Sequence, residues 1–158
     1  MTDKEGLQVV RAGETDRVPR IACYLGYGGV IPFVAMAINV VAEGPLPVAV
    51  ALEAFIYYSA VILSFLGGIR WGAATTLNAG MGREMALAIA PGLWAFLCLM
   101  FNDPGFSVSL LLIGFIVAGL ADVYRPAPGL APWMRQLRKR LTILVVICHV
   151  VVVVSLGL

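Results

Sequence analysis

The sequence predicts an all-α membrane protein, a single bundle of five transmembrane helices with its N-terminus inside and its C-terminus outside. Three observations predict it. Hydrophobic residues make up 61% of the chain and charged ones 13%, with a mean hydropathy of +0.95, which is outside the range of soluble globular domains. Five apolar runs, separated by turn-forming or basic segments, approach or exceed the length needed to cross a hydrocarbon core of about 30 Å. All eleven Lys and Arg residues fall in alternate connections: four before the first run, Arg70 and Arg83 between the second and third, and five between the fourth and fifth. Basic residues accumulate on the cytoplasmic side of a membrane, so this alternation fixes both the number of crossings and their direction.

The expected organisation is an exposed, disordered tail over 1–20 followed by a five-helix domain over 21–158. The tail mixes Asp3, Glu5, Glu14 and Asp16 with Lys4, Arg11, Arg17 and Arg20, without an amphipathic period. The first span runs over about 21–42, with Pro32 inside it as the expected kink. Glu43-Gly-Pro-Leu-Pro47 then makes a turn.

The second span, about 48–69, would be roughly 33 Å long at ~1.5 Å per residue. Ala60, Ser64, Gly68 and Gly72 follow one another at i+4 in its inner half, a stripe with almost no side chain that would let another helix come close. This stripe is the expected main packing seam, so Gly68→Leu should weaken packing or partner binding. Arg70 to Arg83 reads as a loop. The third span, about 85–101, is interrupted by Pro91-Gly92, and its Ala88 and Gly92 offer a possible mate for the seam. Asn102-Asp-Pro-Gly105 is a turn, and the fourth span covers about 106–121. The fifth covers about 141–156. Its β-branched tail, Val150 to Val154, must be helical if it lies in lipid, where a strand edge cannot satisfy its backbone.

Candidate functional residues are few. His149 is the single histidine, midway along the last span, where an ionisable group is a functional hypothesis by default; without a carboxylate or second ligand at i+3 or i+4, a neutral packing histidine is the competing reading. Glu53 lies inside the second span without a basic partner in the outer loops. It is either a proton or cation site, or near enough to the surface to be wet, and Asn39 at similar depth is a possible hydrogen-bond partner. Asp122 and Arg125, at i, i+3, read as a boundary ion pair. Arg70 and Trp71 form an interface anchor or lipid-headgroup contact. Trp133, Leu137 and Leu141 share one face of a segment that also carries Arg135, Arg138, Lys139 and Arg140, which reads as an interfacial amphipathic turn attracted to anionic lipid.

Cys23, Cys98 and Cys148 lie in separate apolar runs, without spacing for a disulfide framework or a metal. No phosphate loop, HExxH, Gly-x-Ser-x-Gly or carboxylate cluster occurs, so the sequence predicts no catalytic site, no cofactor and no metal. Basic residues confined to membrane boundaries disfavour nucleic acid as a partner.

Ser64-Phe-Leu-Gly-Gly-Ile-Arg-Trp-Gly72, Tyr24-Leu-Gly-Tyr-Gly-Gly-Val-Ile-Pro-Phe33 and Pro132-Trp-Met-Arg-Gln-Leu-Arg-Lys-Arg-Leu-Thr142 carry a family likeness. In these motifs the chain resembles a family of small membrane proteins of unknown function, found in proteobacteria, that includes mitochondrial transmembrane protein 69. In that family histidine is frequent where this chain has Arg70, so no histidine role carries over to that position. The resemblance implies a multi-span protein of the bacterial inner membrane, or of the mitochondrial inner membrane if eukaryotic, and by analogy a connection with respiratory membranes.

The resulting expectation is a non-catalytic accessory subunit or assembly factor of a larger, energy-transducing membrane complex, in contact with anionic lipid. The alternative is a small transporter or channel with a polar path through Glu53, joined by Asn39 and His149.

Overall fold

Six helical segments make up a computed structural model that describes residues 19–157: α1 (Arg20–Gly28), α2 (Ile31–Ala42), α3 (Val48–Ala74), α4 (Met81–Cys98), α5 (Pro104–Tyr124) and α6 (Pro132–Ser155). No strand occurs among the described residues, and Val150 to Val154 are helical within α6. The tail expected to be disordered over 1–20 lies, apart from Pro19 and Arg20, outside the described residues. Three stretches are long and apolar enough to cross a membrane: Arg20–Ala42, Val48–Ala74 and Pro104–Tyr124. With this composition, they make the chain a multi-pass membrane protein.

Several boundaries differ from the sequence expectation, each for a local reason. The first span is two helices, because the chain breaks at Gly29-Val30 and Pro32 falls in the first turn of α2. A proline there loses no hydrogen bond, so Pro32 starts a helix where a kink within one was expected. The Tyr58 hydroxyl donates to the Gly29 carbonyl at 2.8 Å, occupying an acceptor at the break. Arg70 to Ala74 are helical, as α3 runs on past the expected boundary. α4 continues through Pro91, which lies beside Gly67 of α3. The amphipathic turn around Trp133 is the first third of one continuous 24-residue α6. Asp103 caps α5, its carboxylate accepting from the Phe106 amide at 2.9 Å, with Pro104 in the first turn.

α3 packs against α2, α4 and α5, and α6 packs against α1, α2 and α5. The core between them is aromatic. Phe33, Phe55 and Phe115 are fully buried, and Phe33 meets the other two edge-on with ring centroids 5.5 and 6.1 Å away. Most other large apolar side chains point outward, as in a bundle whose surroundings are lipid tails.

The α3–α4 seam departs from the expected stripe. Ala60 is buried and Ser64 lies beside Gly92, but nothing comes within 4 Å of a side chain built at Gly68 or Gly72. The close approach is at Gly67, where an added Cβ would collide with the Ala88 carbonyl oxygen. Helical periodicity explains the shift. Four residues turn the helix by about 400°, so a strict i+4 row drifts by ~40° per step, and Gly72 lies about 120° around α3 from Ala60. The buried residues Ile56, Ala60, Leu63, Gly67 and Ala74 keep to one face by alternating steps of three and four with a longer step of seven.

Candidate functional site

At the end of the bundle where the basic residues collect, helical geometry places two guanidiniums between helices. Arg70, in the last turns of α3, faces α4. Its Nε and Nη2 both donate to Glu84 Oε2, at 3.0 and 2.7 Å, and its Nη1 donates to the Arg125 carbonyl at 3.1 Å. Arg138 of α6 faces α5. Its Nε and Nη2 donate to the two oxygens of Asp122 at 2.9 and 3.1 Å, the fork-on-fork arrangement in which a planar guanidinium matches a carboxylate. Nη1 of Arg138 reaches the Leu66 carbonyl of α3 at 3.4 Å. Side-chain exposures of 8% for Arg138 and 10% for Asp122 make this a buried pair, tying α3, α5 and α6 together.

Two expectations are corrected here. Arg70 and Arg138, expected to face outward to headgroups, are turned inward as connectors, each guanidinium nitrogen donating to a carboxylate or a carbonyl. Asp122 does not pair with Arg125. Arg125 caps α5 with φ −139° and ψ 64°, so it has left the helix and its side chain no longer follows Asp122 up the same face. Among the other basic-rim residues, Arg135 donates to the Leu130 carbonyl at 3.1 Å, Trp133 is half-buried, and Trp71, Lys139 and Arg140 are exposed.

The three polar residues of the supposed path lie apart. Asn39 braces the turn after α2, its amide donating to the Leu46 carbonyl at 2.9 Å and its carbonyl oxygen accepting from the Leu46 amide at 3.1 Å. It does not meet Glu53, which is exposed on α3 and accepts from the Tyr57 hydroxyl one turn on at 2.9 Å. His149 is fully buried, with Nδ1 2.9 Å from the Val145 carbonyl and Nε2 without a partner among the described residues. Phe55, Phe115 and Phe33 surround it at centroid distances of 4.7, 5.0 and 5.7 Å. Three phenyl rings from three other helices thus enclose the imidazole, and no described group of three or more His, Cys, Asp or Glu residues lies close enough to hold a metal.

Two cavities flank Arg138. One, of about 340 Å³, opens between α4 and α5; the other, of about 310 Å³, lies between α1, α3 and α6, with Trp133 and Leu141 on its wall. Leu66 and Arg138 line both and so form the partition between them. Gly114, on the wall of the first, lets Leu63 and Trp94 pack directly onto α5, each lying 2.7 Å from a Cβ built there. Trp94 is fixed by its indole N–H, which donates to the Leu110 carbonyl at 2.8 Å.

A family model described as a protein of unknown function, DUF3429, matches residues 18–154, nearly the whole of this bundle. The chain belongs to that family. It is 36% identical over 133 residues to transmembrane protein 69 of Xenopus tropicalis, covering 81% of this chain and 51% of that protein. To transmembrane protein 69 of Mus musculus it is 27% identical over 141 residues, covering 86% of this chain and 56% of that protein. The chain thus spans about half the length of the curated relatives it matches. No solved structure matches it.

The residues that hold the site together and that sequence reasoning missed are Gly67, Glu84 and the Asp122 to Arg138 pairing. Gly67 had a signal in the 3.6-residue period. The two pairings join residues 14 and 16 positions apart on different helices, which no local spacing announces.

Proposed function

We propose that the chain is a non-catalytic protein of the bacterial inner membrane, crossing five times with its N-terminus in the cytoplasm. In this reading it acts as an accessory subunit or assembly factor of a larger, energy-transducing complex, in a rim of anionic lipid. The alternation of basic segments supports the orientation, with α4 and α6 as the crossings that lean on their neighbours for insertion.

The observation that carries the partner reading is the outward face of α3. The bundle's own seam uses Gly67, so Gly68 and Gly72 are left with open space beside them, next to the exposed Phe65 and Trp71. Small residues that a fold does not use internally offer a second helix a close approach, and in lipid such approach supplies much of the association energy. Glu53, Asn39 and His149 are separate in the bundle, which leaves the transport alternative without an assembled path.

The test is to extract the tagged protein from its native membrane in mild detergent, run it on a native gel and identify comigrating proteins by mass spectrometry. A respiratory or other energy-transducing complex in stable ratio is the expected result. Gly68→Leu should abolish comigration while leaving the thermal unfolding of the isolated chain unchanged. Migration of the wild-type chain alone would end the accessory reading.

A further inference from the structure

The cleft between α4 and α5 has the dimensions and charge of a lipid site. Its mouth is formed by Leu87, Trp94, Ile113 and Val117, all more than one-third exposed, so it opens sideways into whatever surrounds the bundle. Its floor is Leu66 and Gly67 of α3. The volume of about 340 Å³ falls within the roughly 300–1,000 Å³ range of pockets that enclose small ligands. One wall is held in place, since the Trp94 indole donates to the Leu110 carbonyl and packs against Gly114.

Length and charge narrow the occupant. From Ile113 to Arg125 the cleft follows twelve residues of α5, about 18 Å at ~1.5 Å per residue, close to the ~15 Å thickness of one leaflet's hydrocarbon. One end is therefore at chain depth and the other at headgroup depth. At the headgroup end Arg70 is neutralised by Glu84 and Arg138 by Asp122. Arg125 is exposed, and its guanidinium has no hydrogen-bond partner among the described residues, which leaves it the one unneutralised cation of the three that line the cleft.

We propose that this cleft binds one anionic phospholipid, with an acyl chain lying along Leu87, Trp94 and Val117 and the phosphate on Arg125. The inference rests on the membrane placement proposed above and is independent of the partner complex.

Trp94 gives a direct readout. The full chain carrying Trp71→Phe and Trp133→Phe, which leaves Trp94 as the remaining tryptophan, is reconstituted into phosphatidylcholine vesicles. These contain a small fraction of phosphatidylglycerol or phosphatidylcholine with brominated acyl chains, which quench a neighbouring indole. Brominated phosphatidylglycerol should occupy the cleft about five-fold more readily at equal mole fraction, the equivalent of ~1 kcal/mol for one cation beside an anionic headgroup. Arg125→Gln keeps the backbone carbonyl that receives Arg70 and should erase the preference. Ala90→Phe, an exposed residue on the cleft wall, should lower quenching by either lipid. Equal quenching by the two lipids in the otherwise unchanged chain would overturn the proposal, as would a preference that survives both variants.

Discussion

Adding one methyl group at Gly67 forces α3 and α4 apart. An ideal Cβ there collides with the Ala88 carbonyl oxygen, a backbone atom that cannot rotate aside as a side-chain tip can. Relief requires the two helix axes to separate by on the order of 1 Å, and a gap of that size forfeits a quarter to a half of the dispersion energy along the seam. Overpacking of this kind costs about 1–3 kcal/mol. The neighbouring Gly68→Ala is the internal control. It has the same chemistry one residue on with nothing within 4 Å, so it should change stability by no more than about 0.5 kcal/mol or raise it slightly through helix propensity. Unfolding of both variants in mixed micelles of mild detergent and SDS, followed by circular dichroism, measures the difference. If Gly67→Ala proves as stable as Gly68→Ala, the seam is not where the geometry places it.

Other perturbations test the charged end and the core. Asp122→Asn leaves the Arg138 guanidinium buried without its carboxylate and should destabilise the bundle by about 3–5 kcal/mol in the same assay, whereas Asp122→Leu combined with Arg138→Met should recover most of that loss. Arg70→Lys cannot hold Glu84 and the Arg125 carbonyl together, so the connection between α5 and α6 should become more susceptible to limited proteolysis. Gly114→Ala should cost about 1–3 kcal/mol through its contact with Leu63 and Trp94, and the displaced Trp94 should show a shifted emission maximum. His149→Phe should cost about 1–3 kcal/mol, because a larger ring enters a fully buried site and the Nδ1 contact with the Val145 carbonyl is lost, whereas His149→Ala should lose several.

Composition and periodicity reveal those features of this chain that arise from one helix at a time. Apolar runs and the need for Val150 to Val154 to be helical follow from local chemistry, whereas Asn102-Asp-Pro-Gly105 reads as a turn although Asp103 caps α5 and Pro104 and Gly105 already belong to it. Pro32 was legible as a special position, but its role depended on where the break fell, and Gly29-Val30 set that break with help from Tyr58 on another helix. The packing face of α3 was misread because a row at strict i+4 steps leaves the face that buries Leu63 and Gly67. Arg70 and Arg138 look like headgroup anchors when each is seen at the end of its own segment. Only the assembled bundle shows Glu84 and Asp122 opposite them, since those pairings depend on how helices stack. His149 lies among Phe33, Phe55 and Phe115, three rings from three other helices, and no spacing within α6 could show that enclosure.

The guanidinium of Arg138 also bears on how the chain reaches its final form during synthesis. The first third of α6 carries four basic residues, so it is poorly suited to enter a bilayer by hydrophobicity alone, and Arg138 in particular needs Asp122 and the Leu66 carbonyl before it can leave water. Both acceptors belong to segments made earlier, within two of the stretches apolar enough to insert unaided. α6, made after both, can therefore bury this guanidinium only once α3 and α5 are side by side, and its docking locks the two together. A truncation ending before Pro132 would leave Asp122 unpaired on α5, a signal by which membrane quality control can recognise an unfinished chain.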